Sequence, residues 1–141
     1  MNGISAHWLS PVQAPLASRF YAAEGQKERA RRDERIAVLR DADGTIIAAA
    51  RLSPRGDAWL LRALQVARHC QGQGLARQLM QFVLSQPQPL WCFSLPHLQP
   101  FYRSLGFVVP DAAGVPAAIA DPFAAYCRTQ PLVILYAPGA D

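Results

Sequence analysis

Lysine is almost missing from this chain: Lys27 stands alone against thirteen arginines and ten acids, for a formal charge of +4. Cysteine is scarce too. Cys70, Cys92 and Cys127 fall at irregular spacing, which excludes a disulfide framework and a zinc-type ligand pattern. They read as reduced intracellular thiols, and no metal site is expected. No apolar stretch approaches the roughly 20 residues that a membrane-spanning helix needs, and the N-terminus carries no basic segment followed by an apolar run. A cytoplasmic location is expected, without a membrane partner. What remains is 141 residues with 51% hydrophobic content, which suits one compact domain over residues 1–141.

A basic balance points to nucleic acid, a membrane surface or an anionic cofactor. The basic residues are densest over 27–35, but Glu28, Asp33 and Glu34 interrupt them and no aromatic residue interleaves. That pattern reads as a solvated helix face with i,i+4 pairs such as Glu28 with Arg32, and not as a nucleic-acid surface.

Strand and helix signals alternate along the chain. Gly3 to Leu9 reads as a strand and Pro11 to Glu24 as a helix burying Leu16, Phe20 and Ala23; the charged run follows as a second helix or an ordered loop. Arg35 to Arg40 and Thr45 to Leu52 form a hairpin around Asp43-Gly44. Residues 53–57 turn the chain into a third antiparallel strand, Ala58 to Val66. A helix follows with Leu75, Leu79, Phe82 and Val83 on one face, ended by Gln86-Pro87-Gln88-Pro89. Leu90 to Ser94 reads as a short buried strand and Leu98 to Leu105 as a helix stopped by Gly106. Phe107 to Val109 starts another strand and Pro110 to Val115 is loop. Asp121-Pro122 has the form of an N-cap and first-turn proline opening a helix to Arg128, and Leu132 to Tyr136 is a last strand before the tail.

The informative stretch lies between the third strand and the amphipathic helix. Gly72 and Gly74 sit where that helix begins, so backbone N–H groups come close to a ligand and the unpaired amides of the first turn favour an anion. The loop is not a Walker A sequence, since no Lys-Ser/Thr follows, nor a dinucleotide fingerprint, since the third glycine is missing.

Gln71-x-x-Gly74-x-Ala76, after a Leu-x-Val strand end, resembles the acetyl-CoA signature of the GNAT superfamily of N-acetyltransferases. Phe101-Tyr102-Arg103-Ser104-Leu105-Gly106-Phe107 is similar to that superfamily's downstream aromatic-Tyr motif, at about the usual separation. The resemblance covers residues 35 to 109. It implies an α/β (α+β) domain with a mixed, mostly antiparallel central sheet flanked by helices. It also implies acetyl-CoA as cosubstrate and direct transfer of the acetyl group to an amine. One departure is Arg68, where many members carry proline.

The resemblance also implies roles. Gln71, Gly72, Gln73, Gly74, Leu75, Ala76 and Arg77 take the pyrophosphate, Leu64 lines the pantetheine channel, and the Val66 N–H serves the thioester oxygen. Tyr102 is the general acid, or an aromatic that packs its short helix on the sheet. The base is open. The strand acid common in the family is absent from residues 58–64, leaving His7, His69, His97, Glu24 or a water relay. Arg51 and Arg62 sit in apolar strands. Each recognises an acceptor carboxylate or forms a structural pair with an acid or a carbonyl. His97 faces the acceptor side in this reading. Cys92 and Cys127 read as small core residues. The partners expected are a small-molecule amine and, left open, a second copy of the chain in a homodimer. A protein amine acceptor and a non-catalytic acyl-CoA-binding regulator are the alternatives.

Overall fold

A computed structural model of the chain describes residues 3–86 and 88–139. In chain order it holds β1 (Ser5–Leu9), α1 (Ala14–Ala23), β2 (Arg35–Arg40), β3 (Ile46–Arg55), β4 (Ala58–Val66), α2 (Leu75–Leu84), β5 (Leu90–Ser94), α3 (Gln99–Ser104), α4 (Ala117–Tyr126) and β6 (Val133–Ala137). The strands form one sheet in sequence order, β1 to β6. β1–β2, β2–β3 and β5–β6 pair antiparallel, whereas β4–β5 pairs parallel. This is the mixed, mostly antiparallel α/β architecture expected. By internal packing the chain forms two compact units, one holding the residues up to Ser53 with Arg62–Val83, the other Pro54–Leu61 with the residues from Leu84 on.

In the first unit β2 and β3 are buried on both faces, from Ile36 to Leu39 and from Ile47 to Ser53. Register explains how two helices cover them. Trp8 pairs with Ala37 and Ala37 with Ala50, so these three share a face. Phe82 of α2 meets Trp8 there with ring centroids 5.4 Å apart. Leu9, Ile36 and Arg51 share the other face, where Tyr21 of α1 lies 5.8 Å from the Arg51 guanidinium. Small alanines beside Trp8 leave α2 room to approach the sheet. On α2 the expected face is buried at Leu75, Leu79 and Val83, with Met80 joining it and Phe82 half-buried against Trp8.

The charged run forms no helix. It crosses residues 26–34 as a loop tied inward, so the expected Glu28–Arg32 pairing on a solvated face is replaced by pairing to the sheet. Arg51 donates to Glu28 at 2.6 Å, to Glu34 at 3.1 Å and to the Arg29 carbonyl at 2.5 Å; the Ser53 hydroxyl donates to Glu34 at 2.5 Å. The Arg51 and Glu34 side chains are 5% and 4% exposed. A buried guanidinium cannot stay unpaired, and that requirement overrides any helix propensity of Glu-Arg-Ala-Arg-Arg.

In the second unit Cys92 and Phe93 alternate on β5 and so face opposite sides. Cys92 hydrogen-bonds Tyr102 of α3, while Phe93 packs its ring against Phe123 and Tyr126 of α4. Several expectations are corrected here. Phe107 to Val109 forms no strand. It makes a single bridge, Val108 with Tyr136, before Pro110 removes the next donor. The last helix begins at Ala117, not at Pro122, which lies inside it. Ala117, Ala118 and Ala120 are strong helix formers, and Ile119 is fully buried, so this first turn forms ahead of the proline. Cys127 is exposed, not core, whereas Cys92 is buried as expected. In the first unit Ala23 is exposed and Leu16 half-buried, and Ala17 and Tyr21 are fully buried on α1 beside Phe20. Pro87, expected in the turn that ends α2, lies outside the described residues, as do Ala140 and Asp141 of the expected tail. Among the described residues no helix is long and apolar enough to cross a membrane.

Replacing Arg51 by methionine leaves the buried Glu34 carboxylate without its counter-charge. It should cost about 3–5 kcal/mol of stability, read as a lower midpoint in urea unfolding.

Candidate functional site

The first unit carries the loop that the sequence singles out. β4 leaves regular geometry at Ala63, which adopts φ +55°, the left-handed region that costs a non-glycine residue about 1–2 kcal/mol. The Tyr21 hydroxyl donates to the Ala63 carbonyl at 2.7 Å and holds the irregularity in place. An irregularity of this kind re-aims the next side chains of its strand, here those of Leu64 and Val66, both half-buried. Neither Tyr21 nor Ala63 was marked by the sequence, since an alanine gives no hint of positive φ.

Beyond Val66 the Ala67 N–H bonds the Ile47 carbonyl of β3 at 2.8 Å. N–H groups alternate along a strand, so the Val66 N–H points to the edge of β4 away from β3. The parallel register with β5 is recorded at Leu60–Trp91 and Leu61–Cys92, ahead of Arg62 and well before Val66. The Val66 carbonyl accepts from the Gln65 and Gln71 side-chain amides at 2.9 and 3.3 Å. Gln71 thus ties the loop to the strand end by its side chain. Arg68, the departure from proline, brings an N–H that proline lacks, and the Glu24 carboxylate at the end of α1 accepts it at 2.6 Å.

Gly72 and Gly74 both lie at positive φ, +81° and +77°, on either side of Gln73. Left-handed residues alternating with right-handed ones turn successive N–H groups toward one concavity, a form of anion nest. Among the described residues no protein atom accepts from the amides of residues 72–76. A Cβ built on either glycine meets nothing within 4 Å, so no described protein atom packs against the loop at these two positions. Gln73 and Arg77 are exposed. The loop is therefore a cradle of donors with room for an anionic group.

The second unit carries Tyr102. It is 7% exposed and packs edge-on against Phe101 and Phe107, with ring centroids 5.1 and 5.5 Å away. Burial pushes its phenol above the ordinary range, and the hydrogen-bonded Cys92 thiol adds to the rise. Tyr102 stays a neutral donor at any physiological pH. Burial likewise pushes the Cys92 thiol up to about 12, against a smaller lowering from the Tyr102 hydrogen bond. His97 is exposed in the turn that follows β5, and His69 is exposed in the turn before the glycine loop.

Arg51 and Arg62 both lie in the first unit. The structural alternative for Arg51, a pair with an acid or a carbonyl, is the arrangement found, with both kinds of partner present. Its two terminal nitrogens are committed to these partners. Arg62 is half-buried on β4 and has partners of its own.

The Cys92 thiol makes a pH prediction. An exposed cysteine ionises near pH 9, whereas this one holds its proton to about 12 when folded. Above pH 9 the unfolded chain therefore binds fewer protons, and stability falls as pH rises through that window. The limiting slope is about 1.4 kcal/mol per pH unit. Between pH 9 and 10, before the buried phenols contribute, the thermal midpoint should fall more steeply in the native chain than in Cys92→Ala.

Comparison with known proteins agrees with this geometry. A family model described as an acetyltransferase (GNAT) domain matches residues 32–109, more than half of the chain. No curated protein matches the sequence. Among solved structures the chain is similar to N-acetylglutamate synthase from Neisseria gonorrhoeae complexed with coenzyme A and N-acetyl-glutamate. The TM-score is 0.69 at 16% identity, covering 100% of this chain and 36% of that one. This chain thus spans about a third of that protein's length. It is also similar to a GNAT family N-acetyltransferase from Escherichia coli in complex with CoA, with a TM-score of 0.62 and 18% identity over 96% of this chain and 81% of that one. A GNAT family acetyltransferase from Elizabethkingia anophelis with acetyl-CoA bound gives 0.62 and 14%, over 98% and 99%. With the glycine cradle, the aromatic-tyrosine motif and the matching family model in agreement, the chain belongs to the GNAT family of acetyltransferases.

Proposed function

We propose that the chain, acting as one domain, moves an acetyl group from acetyl-CoA directly to the primary amine of a small metabolite or amino-acid-like acceptor. The observation that carries this reading is the run of amides over residues 72–76 with no protein acceptor among the described residues. Two adjacent phosphates are the anion that such a nest fits, and the positive end of α2 adds to their attraction. Coenzyme A and acetyl-CoA in the solved relatives, and the N-acetylated amino acid in one of them, support the same chemistry here.

In this reading Gln71 through Arg77 hold the pyrophosphate, with Gln73 and Arg77 adding side-chain donors and charge. Leu64 lines the path of the pantetheine arm along β4. The Val66 N–H, on the edge of β4 away from β3, donates to the thioester oxygen as it gains negative charge. The amine nitrogen forms the C–N bond, the C–S bond breaks, and the departing thiolate gains a proton while the amine loses one. Holding both reactants in one complex supplies about 7–11 kcal/mol of the barrier when they are well oriented.

Tyr102 is assigned as the proton donor to the sulfur, its O–H turning from Cys92, to which it donates in the free chain, toward the departing thiolate. Its phenol lies above 10 and a free thiol near 8.5, so full transfer runs uphill by at least about 2 kcal/mol. It therefore acts chiefly by donating a hydrogen bond that strengthens as sulfur becomes anionic. An alkyl ammonium needs about 4–5 kcal/mol to lose its proton at pH 7. Glu24, Glu28 and Glu34 are all engaged by protein donors, and among the remaining candidates we assign this step to a water relay or His97. His97 and Arg62 complete the acceptor side of the proposal. The lack of an unengaged carboxylate on β4 is what favours the second reading, an acyl-CoA-binding module without turnover.

Acetyl-CoA should raise the thermal midpoint of the native chain, and Gly74→Ala should weaken its binding at least tenfold in calorimetric titration. The alanine Cβ would enter the cradle at a φ that alanine disfavours. Thiol release with a panel of amines should increase from pH 7 to 9 as free amine accumulates, with no loss from Tyr102 in that range. Tyr102→Phe should lower kcat about 100-fold and leave acetyl-CoA binding unchanged. Stabilisation without thiol release from any amine would decide for the binding module.

A further inference from the structure

We propose that the second unit carries another ligand site, a cavity at the start of β4 shaped for a small zwitterion of the amino-acid class with an apolar or planar side chain. The cavity has a volume of about 670 Å³, within the range of small-molecule sites. None of its lining residues belongs to the glycine loop, and Tyr102 is not among them.

Two charges of opposite sign line it, Arg55 and Asp57, on either side of the tight turn between β3 and β4. Among the described residues neither makes an ion pair or a side-chain hydrogen bond, with each other or with anything else. The Arg55 Nε is a buried atom without an acceptor. A buried donor left unsatisfied costs free energy that a ligand oxygen recovers. The guanidinium fork suits a planar carboxylate, which it grips through two parallel hydrogen bonds. A ligand that is only an anion would leave Asp57 facing it in the same cavity. One carrying an ammonium a few bonds from its carboxylate satisfies both side chains.

The remaining walls agree with that ligand. α4 begins at this cavity through Pro116 and Ala118, and no side chain caps its first turn, so its positive end acts with Arg55 on a carboxylate. Trp59, Trp91 and Tyr136 supply ring faces, the last two with centroids 4.4 Å apart. Rings of this kind take an apolar or planar side chain and also attract an ammonium. Gly56 sets the closeness of the turn to α4. It has φ +58°, and a Cβ there would come within 3.3 Å of the Ala118 Cβ. A residue with a side chain would lever the two charges away from the helix start.

The test is calorimetric titration of the full chain with L-phenylalanine, 3-phenylpropionate and phenethylamine, without coenzyme A, so that its outcome does not depend on the acyl-transfer reading. The amino acid should bind at least tenfold more tightly than either single-charge analogue. Arg55→Gln and Asp57→Asn should each weaken it at least tenfold while keeping the native far-UV spectrum and thermal midpoint. Arg55→Lys, which keeps the charge without the fork, should lose less. Equal binding of 3-phenylpropionate with Asp57→Asn unaffected would overturn the zwitterion assignment in favour of a plain anion. Binding that survives Arg55→Gln, or no heat from any of the three compounds, would overturn the site.

Discussion

A backbone N–H needs an acceptor, and over residues 72–76 the fold supplies none from the protein among the described residues. Everything local to the loop keeps these donors presented. Two glycines at positive φ turn them to one side, the Gln71 side chain pins the loop to the Val66 carbonyl, and Glu24 takes the extra N–H that Arg68 introduces. The loop is fastened to its own unit by side chains and by the strand before it. Its amides are left to solvent and ligand.

That fastening depends on charges turned inward. Arg51 would be an isolated cation in an apolar strand, and the loop over residues 26–34 delivers Glu28, Glu34 and a carbonyl to it. The Ser18 hydroxyl accepts the Ala30 N–H at 2.9 Å, so the same loop is also tied to α1. Tyr21 of α1 then reaches the Ala63 carbonyl, where β4 changes course before Val66. Through α1, hydrogen bonds thus link the charged loop to the strand that leads to the cradle. The excess of arginine over lysine makes sense at Arg51, where a planar fork satisfies several acceptors at once.

The chemistry of the second unit is set by desolvation. Tyr102 and Cys92 are kept neutral by the same apolar surroundings, which fits the donor role proposed for Tyr102 and speaks against Cys92 as a thiolate nucleophile at neutral pH. The direct transfer proposed requires no such nucleophile. Arg55 and Asp57, in the same unit, have the opposite character, since they are charged, line a cavity and are unmatched by any described protein group.

Read alone, the sequence was enough for β2, β4 and β5 to the residue, for the amphipathic face of α2, and for the glycine cradle with its following helix. These features are local. Strand alternation, helical spacing and the need for glycine at positive φ all act within a few neighbours in the chain. It failed where distant partners decide. Whether Glu28 and Glu34 face water or Arg51, whether Pro122 opens a helix or sits inside one, and whether Phe107 to Val109 finds a strand to join are settled by groups far along the chain. The left-handed Ala63, held by a tyrosine 42 residues earlier, had no signature at all. At Arg51 and its partners burial decided the outcome, because an unpaired charge or donor costs more inside the protein than any local propensity returns.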